Sequence, residues 1–242
     1  MPVVKILLLA DIHSNIPALN AILDAVNSEV GKPDYIITLG DYVGYNCYPN
    51  EVLEWVKNNA DTMILGNHDL AVALGNADGF NREAKKAALW NYDQLSLENR
   101  TFLSFLEQQV HFFIFPEWSI FCVHGHPADP VNGYLRPDAS QERFEDYLQM
   151  IPRSRFMFHG HTHIPYLYKS EETGTIIVNP GSVGQPRDKD PRASAAMLLV
   201  SEDPQYFEYK FVRAEYDITS VARDMRNFGL PHKLSERLFF GE

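Results

Sequence analysis

The sequence predicts an α/β fold, and three observations carry that prediction. Apolar runs of strand length alternate with segments of helical period over the first 66 residues. Further along, short strand-like runs pair across turn signals. Asp, Asn and His residues also recur directly after the apolar runs, where layered α/β folds build their sites.

"VVKILLLA" (3–10) is a continuous apolar run suited to a buried central strand. Ile16, Leu19, Ile22, Leu23 and Val26 follow at helical spacing. "YIITLG" (35–40) reads as a second strand, "EVLEWVKNNA" (51–60) as a helix and "TMILG" (62–66) as a third strand. The order β-α-β-α-β is that of a layered domain. Residues 75–109 differ: after the turn "GNADGF", "NREAKKAALWNYDQLS" and "ENRTFLSFLEQQ" are helical. We expect this insertion to form a small helical cap over the site, since long excursions between strands often carry specificity. Strands are expected near 110–115, 118–123, 155–159, 166–169 and 175–179, with "SEETG" as a hairpin turn. "SAAMLLVS" and "QYFEYKFV", joined by "EDP", should form another antiparallel pair. "EYDITSVARDMRNFG" reads as a closing helix that stops at Gly229, with Pro231 beyond. No repeat, low-complexity tract or linker interrupts residues 1–242, so a single domain is expected.

Bulk composition narrows the class. Hydrophobic residues make up 45% and charged residues 22%, as in ordinary globular chains. The start "MPVVKILLLADIHSN" lacks a basic leader and a small-residue cleavage site, and no run is long enough to cross a bilayer. Cys47 and Cys122 form no metal-type pair, and a cytoplasmic protein with reduced thiols is expected. The net charge of −11 argues against nucleic-acid duplexes and anionic membranes as partners. It leaves room for a small anionic substrate, because bound cations can reverse the local field.

The polar residues after the apolar runs form an ordered set. Asp11 and His13 follow the first strand in "DIH", and Asp41 follows the second in "GD". Asn67, His68 and Asp69 follow the third in "GNHD". His124 and His126 come after "SIFCV", and "HGHTH" (159–163) comes after "RFMF". Residues two apart in an extended chain share a side, so His161 and His163 can face one point. Alone, "HGHTH" also reads as an exposed turn; the ordered set favours ligands. Carboxylate, amide and imidazole without thiolate suit manganese, iron, nickel, cobalt or zinc. Asp11, His13, Asp41, Asn67, His124, His161 and His163 are too many for one tetrahedral ion. With one bridging carboxylate they suit two.

The order "DIH", "GDYVGY", "GNHD", "VHG", "GHTH" resembles the calcineurin-like metallophosphoesterase superfamily. "NPGSVGQPRD" and the tail "GLPHKLSERLFFG" resemble its bacterial and archaeal small-phosphoesterase branch. The resemblance implies a four-layer α/β/β/α sandwich of two mixed sheets with outer helices. It implies one divalent ion on Asp11, His13 and His163 and another on Asn67, His124 and His161, with Asp41 bridging; manganese is favoured. A metal-bridging hydroxide would then attack phosphorus in line, with His68 as proton donor. Asp69 would orient His68, or else cap the following helix.

Other residues extend the expected site. Pro180, Gly181 and Gly184 should set a tight loop with exposed amides, and the Arg187 guanidinium suits a phosphate fork. Its alternative is a surface ion pair with Asp188 or Asp190. His126 is a further substrate-contact candidate, while His159 should pack at a strand end and His111 should be structural. The expected activity is hydrolysis of a small soluble phosphomonoester or phosphodiester. Alternatives are a dinucleoside polyphosphate hydrolase, a protein phosphatase, or a non-catalytic scaffold on the same fold.

Overall fold

The computed structural model describes residues 3–203 and 206–242. Met1 and Pro2, with Pro204 of the expected turn and Gln205 of the expected last strand, lie outside the described residues. One sheet holds β1 (Val3–Leu9), β2 (Tyr35–Thr38), β3 (Thr62–Met63), β9 (Ala193–Ser201) and β10 (Phe207–Ala214), in the order β10-β9-β1-β2-β3. The other holds β4 (Gln109–Phe113), β5 (Ser119–Val123), β6 (Phe156–Phe158), β7 (Tyr166–Lys169) and β8 (Ile176–Asn179), in the order β4-β5-β6-β8-β7. Both sheets are mixed. β1, β2 and β3 run parallel, as do β5, β6 and β8, while β9, β10, β4 and β7 pair antiparallel.

Side-chain alternation separates the layers. From β1, Ile6 and Leu8 point between the sheets, where they meet Trp118, Ile120, Phe156 and Val178. Leu7 and Leu9 point outward, into a cluster with Leu19, Ile22, Val52 and Val56 of α1 (Ile16–Glu29) and α2 (Pro49–Asn59). Phe121, Met157 and Ile177 cover the far side of the second sheet against α6 (Gln141–Gln149). The result is the α/β/β/α sandwich.

Two local features depart from the periodicity reading, and the insertion keeps its expected helices. β3 is shorter than expected because the Tyr42 hydroxyl takes over the backbone of Ile64, receiving its N–H at 3.1 Å and donating to its C=O at 2.8 Å. α6 was not anticipated, although Ser140 caps it by accepting from Arg143 N, and Phe144 and Leu148 bury one face. The chain from Asn67 onward forms α3 (Asn67–Leu74), α4 (Arg82–Gln94) and α5 (Leu97–Ser104). These helices lie in the outer helical layer, with Ala88, Leu95 and Leu103 in the same cluster as α1 and α2. Of the 75–109 insertion, Gly79, Phe80, Asn81 and Ala84 line the cavity described below. The chain closes with α7 (Ile218–Asn227) and α8 (His232–Arg237). Among the described residues no helix is long and apolar enough to cross a membrane.

Candidate metal centre

Topology brings the site together. The carboxyl ends of β1, β2 and β3 lead to Asp11, Asp41 and Asn67, and those of β5 and β6 lead to His124 and the 159–163 stretch. Five ligand candidates, Asp11, His13, Asp41, His161 and His163, have left-handed backbone, with φ between 47° and 66°. For non-glycine residues this conformation costs about 1–3 kcal/mol each. It is held by the loops bonding one another: Asp11 N to Gly40 O at 3.1 Å, His13 N to Asp41 O at 2.9 Å, and His161 N to Asp11 Oδ2 at 3.0 Å. Gly66 has no alternative in this weave, because a Cβ there would collide with the backbone and carboxylate of Asp41.

Two adjoining groups of ligand atoms result. Asp11, His13, Asp41 and His163 form one, and Asp41, His124 and His161 form the other. Asp41 belongs to both, and its Oδ2 lies 3.5 Å from His13 Nε2 and 3.4 Å from His124 Nε2. Its Oδ1 is held by the His68 backbone N–H at 2.8 Å. Asp11 Oδ1 is 3.4 Å from His163 Nε2, and Asn67 Oδ1 is 3.3 Å from His124 Nε2.

The hydrogen-bond pattern shows what these atoms require. His13 Nδ1 faces Val43 O at 3.0 Å, His124 Nδ1 faces Leu39 O at 2.7 Å and His163 Nδ1 faces Gln185 O at 2.5 Å. A carbonyl only accepts, so each Nδ1 must carry the hydrogen, and each ring, when neutral, offers a lone pair at Nε2. His161 is reversed: its Nε2 donates to Asn132 O at 3.2 Å, leaving Nδ1 as the ligand atom. His13 Nε2 and His163 Nε2 are therefore two acceptors only 3.2 Å apart. A shared cation would satisfy such a pair, and the outer carbonyls are the usual support of metal-binding imidazoles.

Electrostatics agree. Burial holds His13 and His163 well below the usual imidazole range and His161 down at about 3, so all three are neutral, as ligands must be. Burial also raises Asp11 to about 8. At Asp41 burial works upward too, but His124 and His68 outweigh it and keep the carboxyl well below its usual range. His124 itself rises to about 9: burial works downward, and Asp41 overcomes it. The cluster carries carboxylates that a bound divalent ion would balance.

His68 and Asp69 begin α3, but they do not partner each other. Both oxygens of Asp69 are taken by backbone N–H groups: Asp41 at 2.7 Å and Gly66 at 3.0 Å on one, Tyr42 at 2.8 Å and Val43 at 3.2 Å on the other. Asp69 braces the Asp41 loop and caps α3, and is not the orienting partner of the His68 ring. That ring is held by aromatic neighbours instead, 4.4 Å from Tyr45 and 4.6 Å from Phe80 between centroids. Its buried Nδ1, beside Gly44, has no hydrogen-bond partner.

Arg187 reaches the site, whereas Asp188 pairs with Arg213 and Asp190 with Arg192, so the surface ion-pair alternative does not hold. Its guanidinium donates to Tyr45 Oη at 2.9 Å, and its buried Nε has no partner. The loop before it has no exposed amides to offer. Val183 N bonds Ala10 O, Gly184 N bonds Asp11 O, Gln185 N bonds Ser182 Oγ and Arg187 N bonds His163 O. This segment clamps the ends of the ligand strands rather than cradling an anion.

His126 is also corrected. Its ring stacks on Tyr147 at 4.3 Å, its Nδ1 accepts from Asp129 N at 3.1 Å, and it is absent from the cavity wall. His159 is buried at the end of β6 with Nε2 2.6 Å from Tyr166 Oη, and His111 lies exposed on β4 beside Phe113. Tyr45 and Asn91 were missed. The repeated aromatic in "GDYVGY" was a signal for Tyr45; an asparagine inside a helical run gave none for Asn91. Asn91 is buried and joins α4 to the ligand loops, accepting from Ser14 Oγ at 2.6 Å and Gly44 N at 3.1 Å and donating to Asn46 O at 3.1 Å. A cavity of about 320 Å³ opens over the site, lined by Asp41, Asn67, His161 and His163 with Tyr45, His68, Phe80, Tyr134 and Arg187.

Known proteins resemble this chain in sequence and fold. The family model of the calcineurin-like phosphoesterase superfamily domain matches residues 4–203. The chain is 36% identical to an uncharacterized protein of Methanocaldococcus jannaschii, covering 98% of each. The crystal structure of a metallophosphoesterase from Sphaerobacter thermophilus matches with a TM-score of 0.82 at 33% identity, over 100% of both chains. A hypothetical protein from Pyrococcus horikoshii OT3 shares the fold, with a TM-score of 0.84 at 24% identity over 99% of each chain.

Proposed function

The chain belongs to the calcineurin-like phosphoesterase superfamily, and from that premise we propose that it hydrolyses a small phosphate ester with two divalent ions. One observation carries the reading: Asp41 belongs to both groups of ligand atoms, with its Oδ2 between His13 Nε2 and His124 Nε2, a position that suits a carboxylate shared by two ions. Asp11, His13 and His163 would hold one ion, and Asn67, His124 and His161 the other, with Asp41 common to both. Manganese is our first choice, supported by the mixed oxygen and nitrogen donors without thiolate. When bound, the pair would supply Lewis-acid charge to the phosphoryl oxygens and lower the pKa of a shared water.

The protein's own groups do the rest. Arg187, with a buried Nε lacking a partner, binds the phosphoryl group through its guanidinium, which Tyr45 holds over the cavity. His68 lines the cavity while its Nδ1 is sealed off within the protein. Burial keeps the ring at about 4, hence neutral before substrate arrives. An anionic ester beside it raises its affinity for a proton, which it delivers to the leaving oxygen. Tyr45 and Phe80 keep the ring in place. A cavity of about 320 Å³ suits a small molecule better than a protein surface. We place the protein in the cytoplasm, a location that its free thiols Cys47 and Cys122 support.

The test is a screen of metal-reconstituted protein on phosphomonoesters, phosphodiesters and dinucleotides, with metal-free protein as control. Metal-dependent turnover of one class supports the reading. Two bound ions with no turnover on any class would turn it into a scaffold.

A further inference from the structure

A second cavity of about 240 Å³ opens beside the metal cavity, and the two share Asn67, Gly79, Phe80, Tyr134 and His161 in their walls. We propose that this lobe receives the leaving group of the substrate, and that the leaving group is uncharged and carries a planar ring, as a nucleoside does. The proposal rests on the phosphoesterase reading and deepens it.

Position comes first. The Phe80 ring lies 4.6 Å from the His68 ring, and Phe80 is part of the wall of both cavities. An oxygen protonated by His68 therefore lies close to Phe80, at the wall that the two cavities share. The Tyr134 ring lies 4.0 Å from the His161 ring and is 50% exposed, so one aromatic face remains open at the mouth. Two rings beside one lobe offer stacking to a flat group and less to a saturated one.

Charge comes second. Besides the shared residues the lobe presents Asp78 and Asn132, and no Lys or Arg lines it. On the other side of Tyr134 a notch of about 140 Å³ is lined by Arg136 and Arg187. The anionic part of the substrate belongs with the arginines; in the lobe Asp78 already holds Lys85 at 2.7 Å, so a further phosphate there would have to compete with that carboxylate for the lysine. In the reaction, water oxygen bonds to phosphorus, the P–O bond to the ring-bearing alcohol breaks, and the alcohol leaves with the proton from His68.

The experiment uses the metal-loaded full chain and has two arms. In the first, benzyl and cyclohexylmethyl phosphates, as monoesters and as methyl diesters, are hydrolysed by wild type, Phe80→Leu and Tyr134→Leu. Benzyl esters should be preferred by about tenfold in kcat/KM, a typical stacking contribution. Each substitution should shrink that ratio several-fold. In the second arm, adenosine binding is followed by saturation-transfer NMR and should weaken in both variants. Equal handling of the two ester types by wild type, or adenosine binding indifferent to both substitutions, overturns the proposal. If no ester is hydrolysed while adenosine binding still depends on Phe80 and Tyr134, the lobe stands as a ring-binding site and the catalytic reading falls.

Discussion

Replacing Asn91 with leucine tests whether the helical insertion supports the metal site. The side chain is fully buried, and leucine matches its bulk but not its hydrogen bonds. Three groups outside α4 lose their partner: the Ser14 hydroxyl, the Gly44 N–H and the Asn46 carbonyl. Each buried polar group left unpaired costs about 1–3 kcal/mol. The hydroxyl can rotate, so the sum should fall near 3–6 kcal/mol, a large part of the stability typical of a domain. Ser14→Ala removes one of the three contacts and should cost only about 1 kcal/mol. The site should suffer as well, because Val43, the neighbour of Gly44, accepts from His13 Nδ1. Loosening such an outer partner typically weakens metal binding by about 10–100-fold. Urea denaturation with and without metal, together with metal titration, reads both effects. If Asn91→Leu unfolds within about 1 kcal/mol of wild type and binds metal equally well, α4 does not brace the ligand loops and the reasoning fails.

Three further outcomes follow from the geometry. His68→Ala should retain both metals, fall by about 10²–10⁴-fold on an alkyl ester and fall far less on a nitrophenyl ester, which leaves without a proton; loss of a metal would make His68 a ligand instead. Arg187→Lys should raise KM by about tenfold, since lysine cannot reproduce the planar fork held by Tyr45, and unchanged KM values would remove Arg187 from substrate binding. His159 sits at about 3 because of burial, so below pH 6.5 the unfolded chain takes up a proton that the folded chain refuses. Stability is therefore lost as pH falls from 6.5 toward 3, by about 2 kcal/mol at pH 5. Denaturation of wild type and His159→Gln at pH 7.5 and pH 5 should show that extra loss in wild type alone, and parallel pH dependence in both would contradict it.

The strands were legible where burial imposes a simple pattern. "VVKILLLA" is apolar on both faces because Ile6 and Leu8 fill the space between the sheets while Leu7 and Leu9 meet α1 and α2. The polar residues after such runs were legible for the same reason, since a strand that ends at one rim carries its next residues there. Contacts made by the fold itself were not. Nothing in "GNHD" tells that Asp69 turns back to four backbone N–H groups, because that depends on where the Asp41 loop runs. His126 looked like a site residue by its spacing from His124, yet its ring is drawn off by Tyr147 of α6, a helix left unassigned. The amide of Gly184 looked free because its partner, the Asp11 carbonyl, is some 170 residues away in the chain. The left-handed backbone of Asp11, His13, Asp41, His161 and His163 was equally hidden, as no residue type there announces it.

The central claim is that Asp41 joins two metal ions, and anomalous scattering from crystals of the metal-loaded protein tests it most directly. Two peaks about 4 Å apart are expected, both within bonding distance of Asp41 Oδ2, one beside His13 and His163 and the other beside Asn67, His124 and His161. Asp41→Asn, measured the same way, should lose occupancy at both positions. A single peak distant from Asp41, or two peaks that survive Asp41→Asn undiminished, would contradict the account.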